Sequence, residues 1–197
     1  MIAGAALYLV LVAPPIAAWL EQTMVGHMLL QIPLLALVGS LVARGIFGRH
    51  GARLAGFNAA GIAGLLMAVF VAAMWMLPRT LDAALRDPVV EVAKFTSVPL
   101  LMGAPLVLSW PLLPPVARAF VWANVISHAA VLGWLYCATP DRLCARYLID
   151  QQATLGAAML IIAAVLLLAL TLYAIAGSPW QSRAVAAAPI ELAGPSN

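Results

Sequence analysis

Residues 151–177 read QQATLGAAMLIIAAVLLLALTLYAIAG, a run of 27 residues without a charged side chain. A helix needs about 20 apolar residues to cross the hydrocarbon core of a bilayer, so this stretch alone predicts a membrane span. Working outward along the chain, five more runs meet the same criterion: residues 2–20, 23–43, 54–77, 95–114 and 119–137. Pro14 and Pro15 interrupt the first and predict a kink. No Lys or Arg precedes Arg44, so the first run lacks the positive lead of a signal peptide and reads as a retained span.

Composition agrees with that reading. The chain of 197 residues is 65% apolar and only 9% charged, whereas soluble domains carry about 25% charge. So few charges exclude a large water-soluble domain, and so many apolar residues exclude a disordered chain. The net charge of +3 comes from scattered basic residues. No basic helix or aromatic-laced patch accompanies them, which argues against nucleic-acid binding. The expected fold is all-α: a polytopic bundle of six transmembrane helices over residues 1–177, followed by a flexible cytoplasmic tail, 178–197.

Basic residues in short loops set the orientation. Arg44, Arg49 and Arg53 follow the second run without an acid among them, and Arg118 follows the fourth. The segments 78–94 and 138–150, on the other side, balance acids against bases. N-in and C-in follow, in a bacterial inner (cytoplasmic) membrane. Within 80–94, apolar residues at roughly helical spacing predict a short amphipathic helix at the outer interface. Trp75, Trp134, Tyr136 and Tyr147 fit an interfacial aromatic belt. Asn58 and Asn124, near the cytoplasmic ends of their spans, are expected to bond neighbouring helices or headgroups.

The polar and soft side chains gather at the outer level. His27 sits about one turn inside the second span, flanked by Met24 and Met28. Met74 and Met76 close the third at the same depth, Lys94 opens the fourth, and Asp150, Gln151 and Gln152 open the sixth. Glu21 lies in the first turn between spans. Imidazole and thioether together favour Cu(I) over hard cations, though methionine also fills gaps between helices. His128 lies near the middle of the fifth span, where a polar ring is expected to face the bundle interior as a haem ligand, a proton-path residue or a structural group. Its depth differs from that of His27, which weighs against one haem held by both. Cys137 and Cys144 allow a disulfide, a thiol pair for copper, or two independent thiols. Thr139-Pro140 resembles a helix start and predicts a break before a second short helix. Asp150 reads either as a helix cap or as a group aimed at the outer pocket.

Three stretches taken together resemble the CtaG-type membrane proteins associated with assembly of caa3-type cytochrome c oxidase. Met24-Val-Gly-His27-Met28-Leu-Leu, with Ile32-Pro33 and Gly39, looks like that family's His-Met-x-x-His-Met-Leu-Leu helix start. Trp75-Met76-Leu77-Pro78 with Leu81-Asp82-Ala83-Ala84-Leu85 looks like its Trp-His-Leu-Pro segment and following Asp-Ala-Ala-Leu. Tyr147, Asp150-Gln151, Gly156 and Met159 look like its closing pattern, and residues 95–111, with Gly103 and Trp110, fit its helix ending in Trp-Pro. Thr23 and Met76 stand where the family has histidine.

The resemblance covers residues 21–165 and implies copper delivery to an oxidase, without enzymatic activity. The implied metal site draws on His27, Met24, Met28 and Met76, with Cys137 and Cys144 as further candidates. Asp150, Gln151 and Tyr147 would support it from behind. A respiratory oxidase or another membrane complex is the expected partner, beside membrane lipids. Two alternatives stay open: a structural or electron-transfer subunit of a respiratory complex, and a haem- or quinone-binding protein using His128. Few ionisable groups inside the spans and no internal repeat argue against a transporter.

Overall fold

The computed structural model describes residues 1–48 and 58–176. Arg49, Arg53, residues 54–57 and the tail 178–197, all assigned above from the sequence, lie outside the described residues. Every regular element among the described residues is helical. Four helices are long and apolar enough to cross a membrane: α3 (Gly26–Phe47), α6 (Pro88–Leu112), α7 (Pro115–Ala138) and α8 (Ile149–Ile175). Two bent pairs raise the number to six if each is one span: α1 (Ile2–Val12) with α2 (Pro14–Glu21), and α4 (Ile62–Trp75) with α5 (Pro78–Ala84).

Proline causes both bends. The residue before a proline is driven out of the helical region into extended backbone. Ala13 (ψ 125°) precedes Pro14 and Leu77 (ψ 129°) precedes Pro78. The helix axis turns by 69° at the first break and 74° at the second. The kink expected at Pro14-Pro15 is thus a complete break. The amphipathic helix expected within 80–94 is two pieces instead. α5 ends at Ala84, and Asp87 then caps a new helix by accepting from the Val89 N–H at 2.8 Å. That helix runs on without interruption into the fourth span, which therefore begins seven residues before Phe95. Lys94 consequently lies inside a helix rather than at its opening.

α3 and α6 form the centre of the bundle. Each contains a π-helical segment, Gly26–Gln31 in the first and Val98–Gly103 in the second. Each segment ends two residues before a proline, Pro33 or Pro105. A proline lacks the N–H for the residue four back and its ring crowds that carbonyl. A wider turn just upstream relieves the crowding. The two helices then meet at backbone distance. A methyl group on Gly39 would strike the Pro99 carbonyl, and one on Gly103 would strike the Ala36 carbonyl. Ser40 Oγ reinforces the contact by bonding both Ala36 O and Gly103 O at 3.0 Å.

α4 is fastened to α6 at both ends. Asn58 donates to Ser109 Oγ at 2.9 Å and accepts from the Gly64 N–H at 3.0 Å. At the opposite end Trp75 Nε1 donates to Ser97 Oγ at 2.9 Å. Asn58 therefore makes the interhelical bond expected of it. Asn124 does not, because its amide bonds Phe120 O on its own helix. α7 and α8 pair as an antiparallel hairpin in which Gly133 and Gly156 face each other. The apolar core lies toward the end that carries Glu21, with Met24, Met28, Ile32, Trp75, Leu81, Tyr136 and Leu155 in it. The aromatic belt is accordingly reduced to Trp134, since Trp75, Tyr136 and Tyr147 are all buried.

Candidate functional site

The candidate site is a buried polar cluster, and the helix breaks position it. α2 ends at Glu21, the chain reverses over Gln22–Val25, and α3 begins with the π segment that carries His27 and Gln31. Residues four apart share a helix face, so His27 and Gln31 both point back toward Glu21. Gly26 permits the tight return, because a methyl group there would collide with the Leu20 carbonyl. Lys94 enters from α6 and Tyr147 from the segment between α7 and α8. His27, Gln31 and Lys94 are fully buried.

The bonds of the cluster are mutually consistent. Lys94 Nζ donates to Glu21 Oε1 at 2.6 Å, to Gln31 Oε1 at 3.0 Å and to His27 Nε2 at 3.2 Å. An ammonium has three protons, and all three are used. Gln31 Nε2 closes a ring by donating to Glu21 Oε1 at 2.9 Å. Tyr147 OH donates to the Glu21 carbonyl at 2.9 Å. That oxygen also lies 2.9 Å from His27 Nδ1. Its single proton is committed to the carbonyl, so Nδ1 must be the donor to it. The imidazole is therefore assigned as the Nδ1–H tautomer, with the Nε2 lone pair facing the ammonium. Burial and the nearby carboxylate of Glu21 raise the pKa of the Tyr147 phenol, which keeps it protonated for this role.

The segment 139–148 holds Tyr147 in place. Gln152 organises it, accepting from the Leu143 N–H at 2.9 Å and donating to the carbonyls of Tyr136 and Asp141 at 3.3 Å. Asp82 of α5 adds an anchor by accepting from the Ala145 N–H at 2.7 Å. The short helix expected after Thr139-Pro140 does not form. Thr139 closes α7, and these side-chain bonds hold the following backbone in turns. Beside Tyr147 a polar cavity of about 300 Å³ opens at this end, lined in part by Glu21, Gln22, Arg146 and Gln151. Of the cluster, Glu21 and Tyr147 reach its wall, whereas His27, Gln31 and Lys94 lie behind them, fully buried.

The other residues named from the sequence divide around this centre. Met24 and Met28 are buried, and Met28 Sδ accepts a long bond of 3.9 Å from Tyr136 OH. Met76 is half-buried at the edge of the same core. Gln151 lines the cavity, and its Oε1 is buried without a hydrogen-bond partner. Asp150 is exposed in the first turn of α8 and makes no capping bond. Gln152, a neighbour in sequence, has the organising role instead. Cys137 and Cys144 are free thiols. Cys137 lies against Gly156 on the hairpin, whereas Cys144 turns inward toward Tyr136, Tyr147 and Asp82. His128 is exposed on α7 rather than turned to the interior, because α7 buries mainly the residues that face α8. His27, by contrast, has both ring nitrogens engaged inside the bundle, so a haem held by these two imidazoles would have to displace its partners.

The residues that sequence reasoning left without a role are Glu21, Lys94 and Gln31. Opposite charges at one predicted membrane level were the signal for the first two. For Gln31 it was a lone amide four residues beyond His27. Among the described residues no group of three or more His, Cys, Asp or Glu side chains is arranged to hold a metal. Comparison of the chain with family models, curated proteins and solved structures finds no match.

Proposed function

We propose that the chain is a non-enzymatic membrane assembly factor of the CtaG type, which handles Cu(I) as cargo for a respiratory oxidase at His27. One observation carries the reading. Tyr147 orients the imidazole through Nδ1–H and leaves the Nε2 lone pair facing a cation. Metal-binding histidines are commonly held this way by a partner on the other nitrogen. In the structure that cation is the ammonium of Lys94, so cargo binding requires Lys94 to move aside. Met24 and Met28 lie within a turn of His27 and offer thioethers of the softness Cu(I) favours. The cavity beside Glu21 and Tyr147 is the route in, facing the outer side of a bacterial cytoplasmic membrane.

The test is Cu(I) retention by the detergent-purified protein after loading and washing. The wild type is expected to keep about one copper per chain, and His27→Ala to bind roughly tenfold or more weakly. The double variant Glu21→Gln/Lys94→Leu removes the competing ammonium together with its counter-charge, and is expected to bind more tightly than wild type. A second reading is favoured by the saturation of Lys94: the cluster is a structural lock in a non-catalytic subunit of a respiratory complex. That reading expects no retained copper in any of the three proteins, and co-purification with the complex in fixed stoichiometry.

A further inference from the structure

At the end of the bundle opposite the Glu21–Lys94 pair, a groove of about 410 Å³ runs between α3, α6 and α7. We propose that it binds one anionic phospholipid, with an acyl chain along Leu37, Leu41, Val121 and Val125 and the phosphodiester on Arg44. The proposal is independent of the copper reading.

The groove is of the size that holds ligands, and its walls are mostly apolar. It opens between membrane-spanning helices, where the surrounding solvent is hydrocarbon, so a lipid chain is the natural filler. Arg44 sits in the last turn of α3 at the mouth and is exposed. A guanidinium pairs two of its N–H groups with phosphate oxygens. Trp110 and Trp122 form the facing wall, packed edge to face with centroids 6.2 Å apart. Arg118 stacks on Trp110 at 6.0 Å and donates to Pro111 O at 3.2 Å. It thereby stiffens that wall and leaves Arg44 as the cation lining the groove.

Charge complementarity selects the headgroup. The six acids among the described residues, Glu21, Asp82, Asp87, Glu91, Asp141 and Asp150, all belong to the other end of the bundle. The groove end presents Arg44 and Arg118 with no acid among the described residues to neutralise them. Basic pockets between helices on the cytoplasmic side favour anionic over zwitterionic lipids.

Native mass spectrometry of the full chain in detergent tests this, after delipidation and titration with phosphatidylglycerol or phosphatidylcholine of identical chains. The expected result is one phosphatidylglycerol retained per chain under activation that strips phosphatidylcholine. Arg44→Gln should reduce that preference by roughly fivefold or more, a size set by loss of a charge-assisted bidentate contact. Its unchanged thermal unfolding in lipid-free detergent would show that the fold persists. Val121→Trp fills the groove and should abolish the retained lipid. Equal retention of the two lipids, an Arg44→Gln variant with wild-type preference, or full retention in Val121→Trp would each overturn the proposal. So would a quinone that displaces the phosphatidylglycerol one for one.

Discussion

A single tyrosine decides what His27 is able to do. With its hydroxyl proton given to the Glu21 carbonyl, Tyr147 dictates the tautomer of the ring beside it, and the tautomer decides that Nε2, the nitrogen beside Lys94, offers a lone pair. Nearby, Cys144 shows how burial sets reactivity. Removal from water, helped by the carboxylate of Asp82, pushes its thiol up from 9.0 to about 12. The thiolate is the nucleophile, so alkylation of Cys144 at pH 8 should be slower than that of an unfolded thiol by a factor of a hundred or more, roughly. Mass-mapped iodoacetamide labelling before and after denaturation measures this, and comparable rates in the two states would contradict it. The sign of the stability effect follows. The folded state favours the protonated thiol, so this contribution is complete below about pH 9 and is lost as pH rises toward 12. At this scale the sequence was only partly legible. It placed His27, Met24 and Tyr147 on one level, but the pairing of Glu21 with Lys94 depends on where α6 begins. Hydropathy missed that start because Glu91 and Lys94 interrupt the otherwise apolar first turns of the helix, residues 88–94.

Among the elements, the decisive contact is the crossing of α3 and α6. Gly39 and Gly103 lie in the central parts of these helices, and each admits the partner's backbone where a side chain would stand. Close approach of this kind is how membrane helices gain packing energy without a hydrophobic drive between them. It also brings Gln31 and Lys94 within bonding distance. Gly39→Ala should therefore destabilise the bundle by about 1–3 kcal/mol, the range for overpacking a tight contact. Gly103→Ala should do the same. Unfolding in mixed micelles reads the loss. An unchanged midpoint for Gly39→Ala would mean that the helices separate readily. The sequence marked both glycines only as parts of a resemblance. Their reason is the backbone proximity created by two proline-induced π segments, and no hydropathy profile records a helix that widens.

Among the described residues the bundle is polarised from one end to the other. Acids, the ion pair, Gln152 and the polar cavity occupy one end, and Arg44, Arg118 and the lipid-sized groove occupy the other. That the chain builds several apolar helices of membrane-spanning length was legible because hydrophobic length is a property of local sequence, whereas the six runs correspond to four such helices and two bent pairs. The outward position of His128 was not, since burial depends on which face α7 gives to α8. This polarity makes orientation a measurable consequence. The orientation expected from the arginines would put Arg44 and Arg118 inside and the Glu21 cluster outside. In a background with Cys137→Ala and Cys144→Ala, Asp141→Cys should react with a membrane-impermeant maleimide added to intact cells opened only at the outer membrane. Val116→Cys, 80% exposed at the first turn of α7, should react only after the cytoplasmic membrane is permeabilised. The reverse pattern would place the polar cavity in the cytoplasm. A cargo route from the outer side would then be untenable, and the arginine-lined groove would face the leaflet with less anionic lipid.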